Sequence, residues 1–330
     1  MILIPLYAPS MIPVSIITGF LGSGKTTLLN HLVRQPGMGD TVVIVNEFGE
    51  IGIDHLLIEQ AFEDTVLLEN GCICCSIRGD LVDTLSNLQR KVGQGALPAF
   101  GRVVVETTGL ADPAPILQTL MSEERLREAY ALDRIVTTVD AVNAAGQLDT
   151  FAEAVKQVAV SDLLLITKLD LAGQPISALR RRLREINVTA PVEAIEYGRA
   201  DPLVLFSTSM DPRKFEAQLN ITHDHHHVDS EINSFAIVID EPLPWGAVKR
   251  CLETVASLRG GDLLRVKGVL NIVGCAGPVV VHGVQHVFHT PVELREWPDK
   301  VRSSRIVFIT RGLERFALEN VLSTFIKEAA

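Results

Sequence analysis

The feature that most constrains this chain is Gly19-Phe20-Leu21-Gly22-Ser23-Gly24-Lys25-Thr26. This glycine-rich octapeptide lies between an apolar strand (Val14-Ser15-Ile16-Ile17) and the start of a helix (Thr27-Leu28-Leu29-Asn30). It satisfies the P-loop pattern in full, in the strand–loop–helix context the pattern requires. Glycines let backbone N–H groups curl around phosphate oxygens, and a helix N-terminus favours the negative charge. Lys25 is expected to reach the β- and γ-phosphates and Thr26 to ligate Mg²⁺. Gly19, Gly22, Ser23, Gly24 and Thr27 complete the expected phosphate cradle.

Around this motif, short β-branched runs alternate with helical stretches. Pro13–Thr18, Thr41–Val45, Val103–Glu106, Arg134–Val139 and Asp162–Thr167 read as strands, and Thr26–Arg34, Gly79–Val92 and Ile176–Ile186 as helices. Such alternation marks βαβ units, and strands that are apolar throughout are those buried on both faces of a parallel sheet. The pattern changes near residue 206. Residues 206–231 are irregular and carry His223, His225, His226 and His227. Beyond them come Ile232–Ile239, a helical stretch Trp245–Leu258, three close strand candidates between Leu263 and His289, Arg305–Ile309 and a last helix. The expected fold is an α/β P-loop domain with a mainly parallel sheet over residues 1–205. A His-containing linker over 206–231 and a smaller α+β domain over 232–330 follow.

Two further segments concern the nucleotide. Thr167-Lys168-Leu169-Asp170 follows the apolar run Leu163-Leu164-Leu165-Ile166 and resembles the Asn-Lys-x-Asp motif by which GTPases read guanine. A carboxylate at Asp170 can accept two hydrogen bonds from the guanine N1–H and amino group, a donor pair that adenine lacks. Thr167 departs from the usual Asn, and Lys168 would lie along the base. Val103-Val104-Val105-Glu106-Thr107-Thr108-Gly109 ends a buried strand in an acid suited to Mg²⁺, and its glycine lets the backbone approach a γ-phosphate. Lys25, Thr26 and Glu106 are therefore the expected catalytic groups. Leu110 stands where several GTPases carry a water-orienting Gln, so slow intrinsic hydrolysis is expected.

A second chemistry lies in Gly71-Cys72-Ile73-Cys74-Cys75, after the strand-like Thr65-Val66-Leu67-Leu68 and before a helix near Gly79. Thiolates at this density suit Zn²⁺ or another thiophilic ion. A redox pair among these cysteines, or three inert core thiols, are the other readings. The acidic stretch Asn46-Glu47-Phe48-Gly49-Glu50-Ile51-Gly52-Ile53-Asp54 follows the second strand, where a GTPase carries its first switch loop, so its carboxylates could join the thiolates or serve Mg²⁺. The histidine tract reads as a weak auxiliary metal site or as a solvated loop. His282, His286 and His289 are at least as well explained as structural residues.

Composition narrows the field. A net charge of −10 speaks against a nucleic-acid partner, and five cysteines, three of them clustered, do not resemble a secreted disulfide framework. Met1–Pro13 has no basic residue and is interrupted by three prolines, and no later run offers the roughly 18 apolar residues of a spanning helix. A cytoplasmic protein with no membrane partner is expected.

Gly19–Thr27, Val45–Asp54, Gly71–Leu81, Glu106–Pro113 and Thr167–Asp170, together with Arg265–Leu270, Trp297-Pro298-Asp299 and Ser304–Ile309, give the chain a close resemblance to the CobW-like GTPases. These are the metallochaperone branch of the SIMIBI class. The resemblance spans roughly residues 12–312. It implies a GTPase with an internal metal site formed by Cys72, Cys74 and Cys75 joined by Glu47. It also implies a partner-facing C-terminal domain, GTP and Mg²⁺ as cofactors, and delivery of Zn²⁺ or Co²⁺ to a client metalloprotein. A metal store or sensor with incidental GTPase activity is the alternative reading. A P-loop kinase is a third, against which the Thr-Lys-Leu-Asp motif speaks.

Overall fold

The computed structural model describes residues 11–46, 66–67, 73–77, 81–173, 175–206, 225–226, 232–297 and 302–329. The chain divides into two compact units. One takes in the described residues from 11 to 182 and from 190 to 206. The other takes in 183–189 and the described residues from 225 onward.

The first unit is built on a sheet of β1 (Ile12–Gly19), β2 (Thr41–Asn46), β3 (Val66–Leu67), β4 (Ile73–Ile77), β5 (Arg102–Glu106), β6 (Tyr130–Asp140), β7 (Leu163–Thr167) and β8 (Val192–Ala194), in the order β3-β4-β2-β5-β1-β6-β7-β8. Every pairing is parallel except β3 with β4. Its helices are α1 (Lys25–Leu32), α2 (Leu81–Gly93), α3 (Ala114–Ser122), α4 (Glu124–Arg127), α5 (Ala144–Thr150), α6 (Ala152–Val160), the first part of α7 (Ser177–Ile186), whose last four residues fall in the other unit, and α8 (Pro202–Phe206). The apolar strands β5 and β7 are buried almost along their whole length, as central parallel strands are. Leu28, Leu29 and Leu32 of α1 share a core with Ile17, Val43, Val104, Val136 and Leu165 from five strands. Register brings the carboxyl ends of the central strands level: Ile17 faces Glu106, Gly19 faces Thr138, and Asp140 faces Thr167. Ligands of open α/β sheets bind at this rim.

β6 is longer than the sequence implies, because it starts at Tyr130 instead of Arg134. Its register on β1 shifts between Val14 and Ser15, so Asp133 is an extra residue in the ladder, and the Ser15 hydroxyl donates to the Asp133 carboxylate at 3.4 Å. The polar Asp133-Arg134 pair resembles a strand start in the sequence but is a bulge within one.

The second unit is antiparallel. β10 (Ile232–Ile239), β11 (Leu263–Leu270), β12 (Val279–Val284), β13 (Val287–Phe288), β14 (Val292–Glu293) and β15 (Ser304–Arg311) join β9 (His225–His226) in the order β13-β12-β11-β15-β10-β9, with β14 beside β12. Helices α9 (Trp245–Arg259) and α10 (Arg315–Ala329) cover one face. There Val248, Leu252, Leu318 and Leu322 meet Phe235, Val266, Ile306 and Phe308. β9 differs from the irregular linker read in the sequence: His225 and His226 pair with Ser234 and Asn233 at the edge of the sheet. Histidines carry little strand signal, and the free edge of β10 supplies the pairing. Among the described residues, no helix is long and apolar enough to cross a membrane.

Candidate nucleotide site

Gly19, Gly22 and Gly24 all have positive φ, at 141°, 71° and 93°. At Gly19 a Cβ would also fall 2.4 Å from the Thr138 carbonyl oxygen. Only glycine follows this path at low cost. Gly24 caps α1 in the left-handed conformation without a side-chain hydrogen bond, so the first-turn N–H groups remain for an anion.

Lys25 is buried, and its Nζ donates to the Gly19 carbonyl at 2.8 Å and the Phe20 carbonyl at 3.1 Å. Thr26 Oγ1 donates to Glu106 Oε1 at 3.5 Å. Burial lowers the Lys25 pKa against the opposing pull of Glu106. It raises that of Glu106, with Lys25 and the Thr26 hydrogen bond acting the other way. A desolvated ammonium, a hydroxyl and a carboxylate thus sit together at the loop.

Gly109 approaches the loop from the end of β5. A Cβ there would lie 2.6 Å from Leu21 N and 2.7 Å from Leu21 Cα, so the chain passes with no room for a side chain. Leu110 next to it is exposed.

The end of β7 is fastened to the loop by its own hydroxyl. Thr167 Oγ1 donates to the Ser23 carbonyl at 2.7 Å, and Ser23 Oγ lies 2.7 Å from Thr138 Oγ1. The Thr that departs from the common Asn therefore performs a bracing task. Lys168 adopts a left-handed conformation at φ 58°, and its Nζ pairs with Asp140 Oδ2 at 2.8 Å. Asp140 is buried, which alone would raise its pKa. Hydrogen bonds from Lys168, Asn143 and the Val142 N–H outweigh that and hold the carboxyl below its ordinary value. Asp170 is exposed in the following 3₁₀ turn Leu169–Leu171, and Thr27 is exposed on the first turn of α1.

Asp140, Thr138 and the turn at Tyr197-Gly198 join this site without having been picked out from the sequence. Asp140 had a signal, since an acid ending an apolar strand at the carboxyl rim repeats the pattern of Glu106. Thr138 had none. Tyr197 and Gly198 both have positive φ, at 51° and 70°. A Cβ on Gly198 would lie 2.7 Å from the Thr27 carbonyl oxygen, which a lone Tyr-Gly pair does not announce.

Of the metal candidates, Cys74 and Cys75 lie in β4, their backbones level with Val43 and Ile44 of β2. Cys72, Glu47, His223 and His227 lie outside the described residues. His225 and His226 form β9. In the second unit the rings of His282 and His289 meet edge to face at 5.9 Å, and His286 Nδ1 contacts the Ala256 carbonyl at 2.8 Å. Among the described residues, no three His, Cys, Asp or Glu side chains gather as a metal site.

A glycine loop joining a central parallel strand to a helix, braced by the ends of β5, β6 and β7, defines a P-loop nucleotide-binding domain. The chain belongs to the CobW/HypB/UreG family, whose nucleotide-binding domain matches residues 13–193. The CobW C-terminal domain of cobalamin synthesis proteins matches residues 232–326. The chain is 38% identical to the zinc chaperone YjiA of Escherichia coli, over 90% of this chain and 93% of that one. It is 30% identical to the zinc chaperone CobW of Pseudomonas aeruginosa, over 97% and 93%. The crystal structure of Zn(II)-bound YjiA GTPase superposes with a TM-score of 0.75 at 34% identity, covering 96% of this chain and 99% of that one.

Proposed function

We propose that this chain is a GTP-hydrolysing metallochaperone that binds a transition metal and transfers it to a client metalloprotein under nucleotide control. Zinc is the leading cargo, with cobalt as the other. The full-length similarity to two zinc chaperones supports the cargo and the class. In this reading the unit built on β1–β8 serves as the GTPase domain, and the unit built on β9–β15 faces the client. Clustered thiols suit the reducing cytoplasm.

The observation that carries nucleotide control is the strand order. β2 lies between β4 and β5, with Ile44 level with Cys75 on one side and Val105 on the other. The cysteine strand is therefore two strand spacings, about 10 Å, from the strand that ends in Glu106. In this reading Cys72, Cys74 and Cys75 with Glu47 hold the cargo metal, and the histidines at 223 and 225–227 bind metal weakly. A change at the phosphate end of β5 has only β2 to cross.

At the nucleotide, Lys25 exchanges the Gly19 and Phe20 carbonyls for β- and γ-phosphate oxygens, which relieves the desolvation of its ammonium. Gly19, Gly22, Ser23, Gly24, Lys25, Thr26 and Thr27 bind the phosphates, Gly109 meets the γ-phosphate, and Lys168 and Asp170 read the guanine while Thr167 braces their loop. Thr26 and Glu106 would hold Mg²⁺. Their oxygens are 3.5 Å apart, near the roughly 3 Å between neighbouring ligands of an octahedral ion. The ion supplies charge neutralisation at the transferring phosphoryl group. With Leu110 in place of a water-orienting side chain, turnover of the isolated protein falls well below about 10 s⁻¹, the enzyme median.

The test is a chelator-competition titration of Zn²⁺ and Co²⁺ without nucleotide, with GTP–Mg²⁺ and with GDP–Mg²⁺. One tight site whose affinity shifts by about 1–3 kcal/mol between nucleotide states is expected. The same titration on Cys74→Ser should lose that site and leave GTP affinity nearly unchanged. A YjiA triple mutant with alanine at one glutamate and two cysteines is itself Zn(II)-bound, so the nucleotide-responsive site must be counted apart from weaker ones. Equal affinity in all three states would refute the coupling and favour a metal store or sensor.

A further inference from the structure

The segment carrying Gly109 is gripped from two sides. The P-loop confines it on one, through the contact of Gly109 with Leu21. Helix α6 holds the other. Gln157 Nε2 donates to the carbonyls of both Gly109 and Ala111 at 3.1 Å. One residue earlier, Lys156 Nζ pairs with Asp112 Oδ2 at 3.1 Å, while Asp112 Oδ1 accepts the N–H of Ala114 at the start of α3.

Gln157 is 1% exposed. Both groups facing its amide are carbonyls, so the nitrogen must point at them. Its Oε1 accepts no hydrogen bond from any described residue. The side chain also lines a cavity of about 10 Å³ with Phe20 and Thr138, room for a single water. Burying an amide here costs desolvation that an apolar residue at this position of α6 would not. Its two donors both serve the Gly109–Ala111 backbone.

We propose that Gln157 is a positioning residue for γ-phosphate recognition, with Lys156 supporting it through Asp112. This inference rests on the GTPase reading above. By fixing two carbonyls of the segment, Gln157 sets where the Gly109 N–H lies before nucleotide arrives. GDP has no γ-phosphate and so makes no use of the Gly109 N–H. GTP also needs Gly109 in place, so the clamp favours GTP over GDP by pre-organising that contact.

The experiment measures affinities of a fluorescent GDP and a fluorescent non-hydrolysable GTP analogue, with Mg²⁺, for the full chain and the variants Gln157→Met and Lys156→Gln. Gln157→Met should shift the ratio of the two affinities about tenfold towards GDP, with GDP binding itself within about twofold of wild type. Lys156→Gln should shift the ratio the same way by less. An unchanged ratio in a folded Gln157→Met protein overturns the inference. If that variant does not fold, an unchanged ratio in Lys156→Gln overturns it. Failure of the wild type to bind either nucleotide would instead overturn the GTPase reading.

Discussion

Thr167→Val is the sharpest perturbation of the nucleotide site, because it removes one hydroxyl and keeps the branched shape that β7 accommodates. Thr167 is 4% exposed, and its Oγ1 donates to the Ser23 carbonyl at 2.7 Å and lies 3.3 Å from the Val139 carbonyl. Losing the donor leaves a buried carbonyl short of a partner, at a cost of roughly 1–3 kcal/mol. For a unit of this size each kcal/mol lowers Tm by about 2–4 °C, so a fall of roughly 2–12 °C is expected. Ser23 immediately precedes Gly24 and Lys25, so part of the cost reappears as a phosphate loop that must be reordered on binding. GDP affinity should drop about tenfold, equivalent to about 1.4 kcal/mol. The assay pairs thermal melting of nucleotide-free protein with titration of fluorescent GDP. Thr167→Ser retains the hydroxyl and should restore most of both. A Thr167→Val protein that melts within about 1 °C of wild type and binds GDP equally well would refute the bracing role. So would a Thr167→Ser protein as impaired as Thr167→Val.

Two other outcomes follow from the same rim. Gly109→Ala places a methyl 2.6 Å from Leu21 N, against backbone that cannot turn aside. Calorimetric titration should show at least about tenfold weaker binding of a GTP analogue, and wild-type affinity would show that the segment moves freely. Asp140 bears on acid stability: its folded pKa lies below the ordinary carboxylate value, through its hydrogen bonds with Lys168, Asn143 and Val142. Its contribution is therefore present above the unfolded value and lost as pH falls through the lowered one, below about pH 4. Asp140→Asn should flatten that limb of a urea-midpoint profile against pH, and an unaltered limb would show that other carboxylates govern it.

Much of the architecture is legible in local sequence, because its determinants are local. β7 reads as an unbroken apolar run, and both it and β10 run where the sequence places them. The glycines of the P-loop mark backbone angles that other residues resist, so the octapeptide announces its own conformation. Where local signals conflict with pairing, the sequence misleads. Asp133-Arg134 interrupts an apolar run that β1 nevertheless keeps in register past a bulge, and His225-His226 becomes a strand because β10 has a free edge.

Taken alone, the sequence determined that a phosphate-binding loop opens a helix after a buried strand, that Glu106 ends an apolar strand, and that three thiols lie within four positions. Each of these follows from residues within a few positions of one another, where backbone angles, hydrophobic period and thiol chemistry act. That Cys74 and Cys75 belong to a strand of the sheet was not legible. Only the tertiary structure decided that Thr167 braces Ser23, that Asp140 engages Lys168, and that Gln157 grips Gly109 from 48 residues away. These contacts join chain segments that meet only when strands pair in one register. Their short-range hydrogen bonds exist only once the packed sheet has brought the partners together.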